Sequence, residues 1–193
     1  MIGRGRSGTV FLARHLGLDE ERAIKRVRRT ESGFIQEAAL LKRLRHPGIP
    51  IIYDLEIDEN YYYLIEEYLC GESLYARIER TGSLQTGELI RLGIELCRIM
   101  NYLHSFKPNP ILYLDLHPGN LLICREQLKL IDFDQAALAS LSQERSVCYG
   151  TKGFAAPEQY EGGTLDERTD IYAIGALLYY CLLYTSPSPR DRG

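Results

Sequence analysis

The spacing of apolar residues turns from mostly strand-like to mostly helical near Ser73 in these 193 residues, and that change constrains the class of fold. Before it, Thr9-Val-Phe-Leu-Ala13, Ala23-Ile-Lys-Arg-Val27 and residues 51–57 and 61–68 are short runs rich in β-branched and aromatic side chains, each predicting a strand. Asp19-Glu-Glu-Arg22 reads as the turn between the first two, and Asp58-Glu-Asn60 joins the last two. One helix interrupts them over 34–44, where Phe34, Ala38, Leu41 and Leu44 fall at helical spacing, and His46-Pro-Gly-Ile-Pro50 ends it. After Ser73, Leu89, Leu92, Leu96, Met100 and Leu103 mark one face of a long helix that stops before Pro108. Short strands over 111–131, a polar loop to Phe154 and an apolar helix from Asp170 complete the pattern. The expectation is an α+β chain, a small strand-rich half over 1–70 and a helical half over 71–180, with a cleft between them.

Composition narrows the function classes. Hydrophobic residues at 45% and charged residues at 25% fit a globular chain rather than a disordered one. The formal net charge of −3 provides no basic surface for nucleic acid or membrane, so neither is expected as a partner of this segment. Cys70, Cys97, Cys124, Cys148 and Cys181 lie far apart without metal-ligand spacing, which suggests a reducing cytoplasm and thiols that are mostly small buried hydrophobes. The run 171–184 is too short to cross a bilayer.

Both ends predict a fragment. A glycine-rich loop begins at Gly3, leaving room for little of the strand that such a loop hangs from. At the other end, Cys181-Leu-Leu-Tyr-Thr-Ser-Pro-Ser-Pro-Arg-Asp191 spells the translation of a common transposase sequencing adapter. The natural sequence is therefore expected to stop near Tyr180, with 181–193 an artefact.

Three stretches carry chemistry. Gly3-x-Gly5-x-x-Gly8-x-Val10 lets backbone approach phosphates, and it is followed by a strand rather than the helix of a dinucleotide fold. Lys25, in Ala23-Ile-Lys25, would pair with phosphate oxygens, and Glu37 on the following helix is its candidate partner. Asp115-Leu-His-Pro-Gly-Asn120 and Ile131-Asp132-Phe133 supply two carboxylates and an amide. Phosphoryl transfer uses such groups to orient an acceptor hydroxyl and hold Mg²⁺.

With Gly150-Thr-Lys-Gly-Phe-Ala-Ala-Pro-Glu158 and Asp170-x-x-x-x-Gly175 following, the chain resembles the bacterial serine/threonine protein kinases of eukaryotic (Hanks) type from Gly3 to about Tyr180. The resemblance implies a two-lobed kinase fold, truncated at both ends, that uses ATP and Mg²⁺ on Ser/Thr of a protein substrate, with autophosphorylation an option. It implies Asp115 as base, Asn120 and Asp132 as metal ligands, and Lys25 on the α/β-phosphates with Glu37 bracing it. Gly3, Gly5, Gly8, Val10 and Ala23 would surround the nucleotide, with Glu67 and Leu69 meeting adenine through their backbone. Thr151 would line the acceptor pocket, and Glu158 would pair with an arginine further downstream.

The chain also departs from that pattern. Tyr113-Leu114 replaces the usual His-Arg, which predicts weaker or differently wired switching by loop phosphorylation at Ser140, Ser142 or Ser146. His117 stands where a lysine helps neutralise the transferred phosphate, Asp134 replaces a glycine, and Glu66 occupies the gatekeeper position. Two other readings stay open: a small-molecule kinase of the aminoglycoside/choline phosphotransferase type, and a nucleotide-binding pseudokinase scaffold.

Overall fold

The computed structural model of the chain describes residues 1–4, 8–29, 34–142 and 150–183, without the side chains of 4, 36, 37, 141 and 142. The chain divides into two compact units, Met1–Cys70 and Gly71–Gly193.

The first unit is one antiparallel sheet in the order β1-β2-β3-β5-β4. Its elements are β1 (Gly3–Arg4), β2 (Thr9–His15), β3 (Glu20–Arg28), α1 (Phe34–Leu41), β4 (Ile52–Ile57) and β5 (Tyr61–Glu67). Alternation along β3 buries Ala23, Lys25 and Val27 on one face. On the other, the Arg26 guanidinium lies between the Phe11 and Tyr61 rings, 5.0 and 4.7 Å from their centroids. Phe34 stacks on Tyr62 at 5.4 Å and ties α1 to β5.

Two sequence expectations are corrected in this unit. Glu20, Glu21 and Arg22 belong to β3 rather than to a turn, because the ladder with β2 runs out to His15 opposite Glu20. Arg22 is buried there with its guanidinium over the Tyr53 ring at 4.0 Å. The helix expected to reach Leu44 ends at Leu41. Arg43 and Leu44 donate to carbonyls three residues back, the tightened end expected shortly before Pro47.

The second unit begins with β6 (Glu72–Ser73), α2 (Leu74–Thr81) and α3 (Thr86–His104). The Ser73 hydroxyl caps α2 by accepting the Ala76 amide at 3.1 Å. Leu89, Leu92, Leu96, Ile99, Met100 and Leu103 form the buried face of α3. Then come β7 (Ile111–Leu112), a 3₁₀ turn (Pro118–Asn120), β8 (Leu121–Cys124), β9 (Gln127–Leu130), β10 (Ala137–Leu138), α4 (Ala139–Ser142), α5 (Pro157–Glu161) and α6 (Glu167–Leu183). β8 and β9 pair with β6 alongside, and β7 pairs with β10. The β8–β9 hairpin turns through Arg125 and Glu126, both at positive φ, as a two-residue hairpin of this hand requires. It is clamped to α3: Arg91 binds Glu126, and the Glu95 carboxylate accepts the Leu128 amide at 2.7 Å.

Helix α6 starts three residues before the expected Asp170, because the Asp166 carboxylate accepts the Arg168 amide at 2.8 Å and organises a polar first turn. The expectation of mostly buried thiols fails: of the four described cysteines, Cys70 and Cys97 are exposed, Cys124 is half-buried and only Cys181 is buried. No helix among the described residues is long and apolar enough to cross a membrane.

Candidate active site

The site in the second unit is built around a carboxylate with no solvent exposure, Asp170 on α6. Its Oδ2 accepts the Tyr113 amide at 2.9 Å and lies 2.8 Å from His104 Nε2, while Oδ1 accepts the Leu114 amide at 2.9 Å. A buried charge is sustained by such donors. They hold the strand end after β7, where Leu114 takes φ 68°, a conformation disfavoured for a side chain of its kind. The Leu114 carbonyl accepts from Gln159 Nε2 at 2.8 Å, and Gln159 Oε1 accepts the Ala156 amide at 3.0 Å. Backbone on both sides of Leu114 is thereby fixed, and Asp115 follows.

Asp115 is about one quarter exposed. Its Oδ1 accepts both the Thr151 amide at 3.1 Å and the Thr151 hydroxyl at 2.8 Å. Its Oδ2 lies 3.9 Å from His117 Nε2. His117 Nδ1 accepts the Gly119 amide at 3.1 Å, so the ring proton of the neutral imidazole sits on Nε2, toward Asp115. Asn120 Nδ2 donates to the Asp115 carbonyl at 3.1 Å. Asp115, His117, Asn120 and Thr151 are thus brought together by direct contacts.

Asp132 enters from the far end of the β8–β9 hairpin, where the Ile131 amide donates to the Asn120 carbonyl at 2.9 Å. Asp132 itself takes φ 62°, while Asp134 is not among the residues of positive φ, so the position where the family pattern has glycine needs none here. The Asp132 carboxylate accepts the Asp134 amide at 3.4 Å. With the Asn120 nitrogen turned to Asp115, its oxygen end and the Asp132 carboxylate are oxygen groups that could hold a cation. Hard oxygen donors, few in number, suit Mg²⁺ arriving with phosphates. No cluster of three His, Cys, Asp or Glu side chains suited to a metal occurs among the described residues.

Tyr113 is fully buried between these parts. Its hydroxyl donates to the Ile131 carbonyl at 2.6 Å, and its ring meets Phe133 edge-on at 5.3 Å. Burial pushes the phenol well above the ordinary tyrosine range, with the Asp132 and Asp115 charges adding and a bond to the Asn120 side chain opposing.

In the first unit, Lys25 is buried in mid-strand, directly opposite Val10 on β2 and Leu64 on β5. Ala23 pairs with Glu66, so Val10, Ala23, Lys25 and Glu66 share one face of the sheet. Gly8 is sterically obligatory: a Cβ there would stand 2.5 Å from the Arg26 carbonyl oxygen. Gly3 pairs with Val10 and has room for a Cβ, and Gly5 lies outside the described residues. Glu37 is on α1, with its side chain outside the described set. The Glu67 amide donates to the Ile51 carbonyl at 2.8 Å, and Leu69 follows the end of β5.

Glu158 stands apart from the Asp115 group. Its carboxylate accepts the Thr169 hydroxyl at 2.8 Å, a partner within the chain that sequence reasoning did not provide. Ser140 is exposed on α4, while Ser146 and the Ser142 side chain lie outside the described residues. Sequence reasoning also assigned no role to His104, Gln159 or the Asp170 carboxylate. For Asp170 the available signals were its place at the head of an apolar run and the spacing Asp170-x-x-x-x-Gly175.

The sequence profile of the protein kinase domain matches residues 1–193. The chain is 28% identical to serine/threonine-protein kinase pkn3 of Myxococcus xanthus, over 99% of this chain and 38% of that protein. It is 34% identical to serine/threonine-protein kinase PrkC of Bacillus subtilis (94% and 29%) and 30% identical to Aurora kinase B of Danio rerio (96% and 59%). It spans less than two thirds of each of these relatives. A mixed α+β chain with its sheet first and its helices after, matched by this profile along its length, belongs to the protein kinase domain family.

Proposed function

We propose that this domain transfers the γ-phosphoryl group of ATP to serine and threonine hydroxyls of proteins, as a bacterial kinase of the eukaryotic (Hanks) type. The observation that carries the reading is the double bond pair from Thr151 to Asp115: it commits Oδ1 and orients the carboxylate, leaving Oδ2 for an acceptor hydroxyl. Asp115 aligns that hydroxyl and takes its proton as the new O–P bond forms and ADP departs. His117 turns Nε2 toward Asp115 and offers an imidazole N–H where the family pattern has a lysine. Asn120 and Asp132 hold Mg²⁺, which supplies charge neutralisation on the phosphates. Lys25, braced by Glu37, takes the α/β-phosphates. The Gly3–Gly8 backbone covers them, Val10 and Ala23 bound the adenine, and the Glu67 and Leu69 backbone meets its edge. Residues 1–70 and 71–180 act as the two lobes, in a reducing cytoplasm.

The names of the bacterial relatives support the Ser/Thr assignment. The test is incubation of the full chain with Mg-ATP and a generic protein acceptor, read by intact mass and phosphosite mapping, with Asp115→Asn as control. Increments on Ser or Thr that vanish in the control are expected. ATP binding without transfer to any protein would replace this reading by a scaffold or a small-molecule kinase.

A further inference from the structure

We propose that Glu66 is a positioning residue for Lys25, its carboxylate sharing the Lys25 ammonium from the neighbouring strand of the same sheet. The pairing stands on the sheet geometry, while its use in holding phosphates rests on the reading above.

Lys25 is buried in the middle of β3, with Val10 of β2 opposite it on one side and Leu64 of β5 on the other. Both neighbours are apolar, and an ammonium in such a place is sustained by a carboxylate on its own side of the sheet. Strand β5 carries one. Lys25 lies opposite Leu64 and Ala23 opposite Glu66, so Glu66 is one strand over and two residues along from Lys25, on the same face. Side chains in this diagonal relation are rooted about 7 Å apart, a gap that two long side chains span. Glu66 is half-buried, so its charge acts across little water. Neighbouring cations of the sheet are engaged elsewhere. Arg22, opposite Glu67, belongs to the other face, where it binds Glu20 and lies over the Tyr53 ring. Arg14 binds Asp19, and Arg26 lies between the Phe11 and Tyr61 rings. Glu37 belongs to a separate element, α1. A carboxylate borne by the sheet keeps its distance to Lys25 independently of that helix, so Lys25 is aimed before α1 contributes.

The test uses the full chain without nucleotide. A carbodiimide joins a carboxylate to an amine only where the two touch, and it should link Glu66 to Lys25, read by mass spectrometry of peptides. Absence of that link would overturn the proposal. In parallel, acetic anhydride at about pH 8 should acylate Lys25 about fivefold or more faster in Glu66→Gln than in wild type, because an ammonium beside a carboxylate yields its proton less readily. Glu66→Asp keeps the charge and should stay within about twofold of wild type. Amide exchange along β3 should be the same in all three. Equal acylation in wild type and Glu66→Gln, or exchange that rises in step with acylation, would overturn the pairing. The wild-type link decides the matter even if Glu66→Gln does not fold. Added ATP should slow acylation of wild-type Lys25. No slowing would overturn the phosphate reading of Lys25 and leave its pairing with Glu66 standing on the link.

Discussion

Leu114 donates its amide to the Asp170 carboxylate from a left-handed backbone, across 56 residues of sequence, at 2.9 Å. A leucine at positive φ is disfavoured by about 1–2 kcal/mol, so the conformation persists only where its surroundings impose it. Asp170 imposes it from one side and Gln159, bonded to the Leu114 carbonyl, from the other. The backbone that leads into Asp115 is thus set by Asp170 and Gln159, while Thr151 orients the carboxylate itself.

Asp170→Ala should destabilise the second unit by about 4 kcal/mol, because it leaves the Tyr113 and Leu114 amides buried without an acceptor. Urea denaturation followed by circular dichroism measures this. A loss under 1 kcal/mol would mean that the carboxylate is not the anchor of this turn.

Thr151→Val removes the hydroxyl on Asp115 Oδ1 and keeps the shape, whereas Thr151→Ser keeps the hydroxyl. If Asp115 acts as proposed, kcat should fall about tenfold or more in the valine variant, with KM for ATP little changed. Serine should restore most of it. Equal rates in both variants would detach Thr151 from the chemistry.

Gly8→Ala should lower the stability of the first unit by about 1–3 kcal/mol in the absence of any nucleotide, since the added methyl meets the Arg26 carbonyl. Hydrogen exchange along β2 and β3 reads this unit separately. A variant as protected as wild type would show that the strands yield there.

The thiols should separate by environment. Cys70 and Cys97 are exposed and should alkylate in the native state at pH 8, while Cys181 should not. Burial pushes the Cys181 thiol up to about 12. Its folded pKa is raised, so the unfolded chain loses this proton first. The stability that this group contributes is complete below its ordinary pKa of about 9 and is lost progressively as pH rises toward 12. Mass-resolved alkylation, and melts from pH 8 to 11 on wild type and Cys181→Ala, test both points. A wild-type melt that weakens no faster than the variant's would refute the second.

Much of this was legible in the sequence, and the reason is local periodicity. Leu89, Leu92, Leu96, Met100 and Leu103 were placed on one helical face, and all are buried in α3. Asp115 and Asn120 stand five residues apart, and their contact is as local as the motif. What stayed illegible depends on distant partners. Nothing near Gln159 announces that it spans the Ala156 amide and the Leu114 carbonyl, 45 residues back. The extended start of β3 was hidden for another reason: Glu20, Glu21 and Arg22 look like turn residues until the ladder with β2 is known.

The Ile131–Asn120 bond also makes the hairpin between them dispensable as a measure of distance. Asn120 and Asp132 are separated by twelve chain steps but registered by one peptide contact at the base of β8 and β9. Residues added at the Arg125–Glu126 tip would lengthen the loop without moving either end. Added length at that tip would cost the Arg91–Glu126 pair while the Ile131–Asn120 bond still sets the spacing of the two ends.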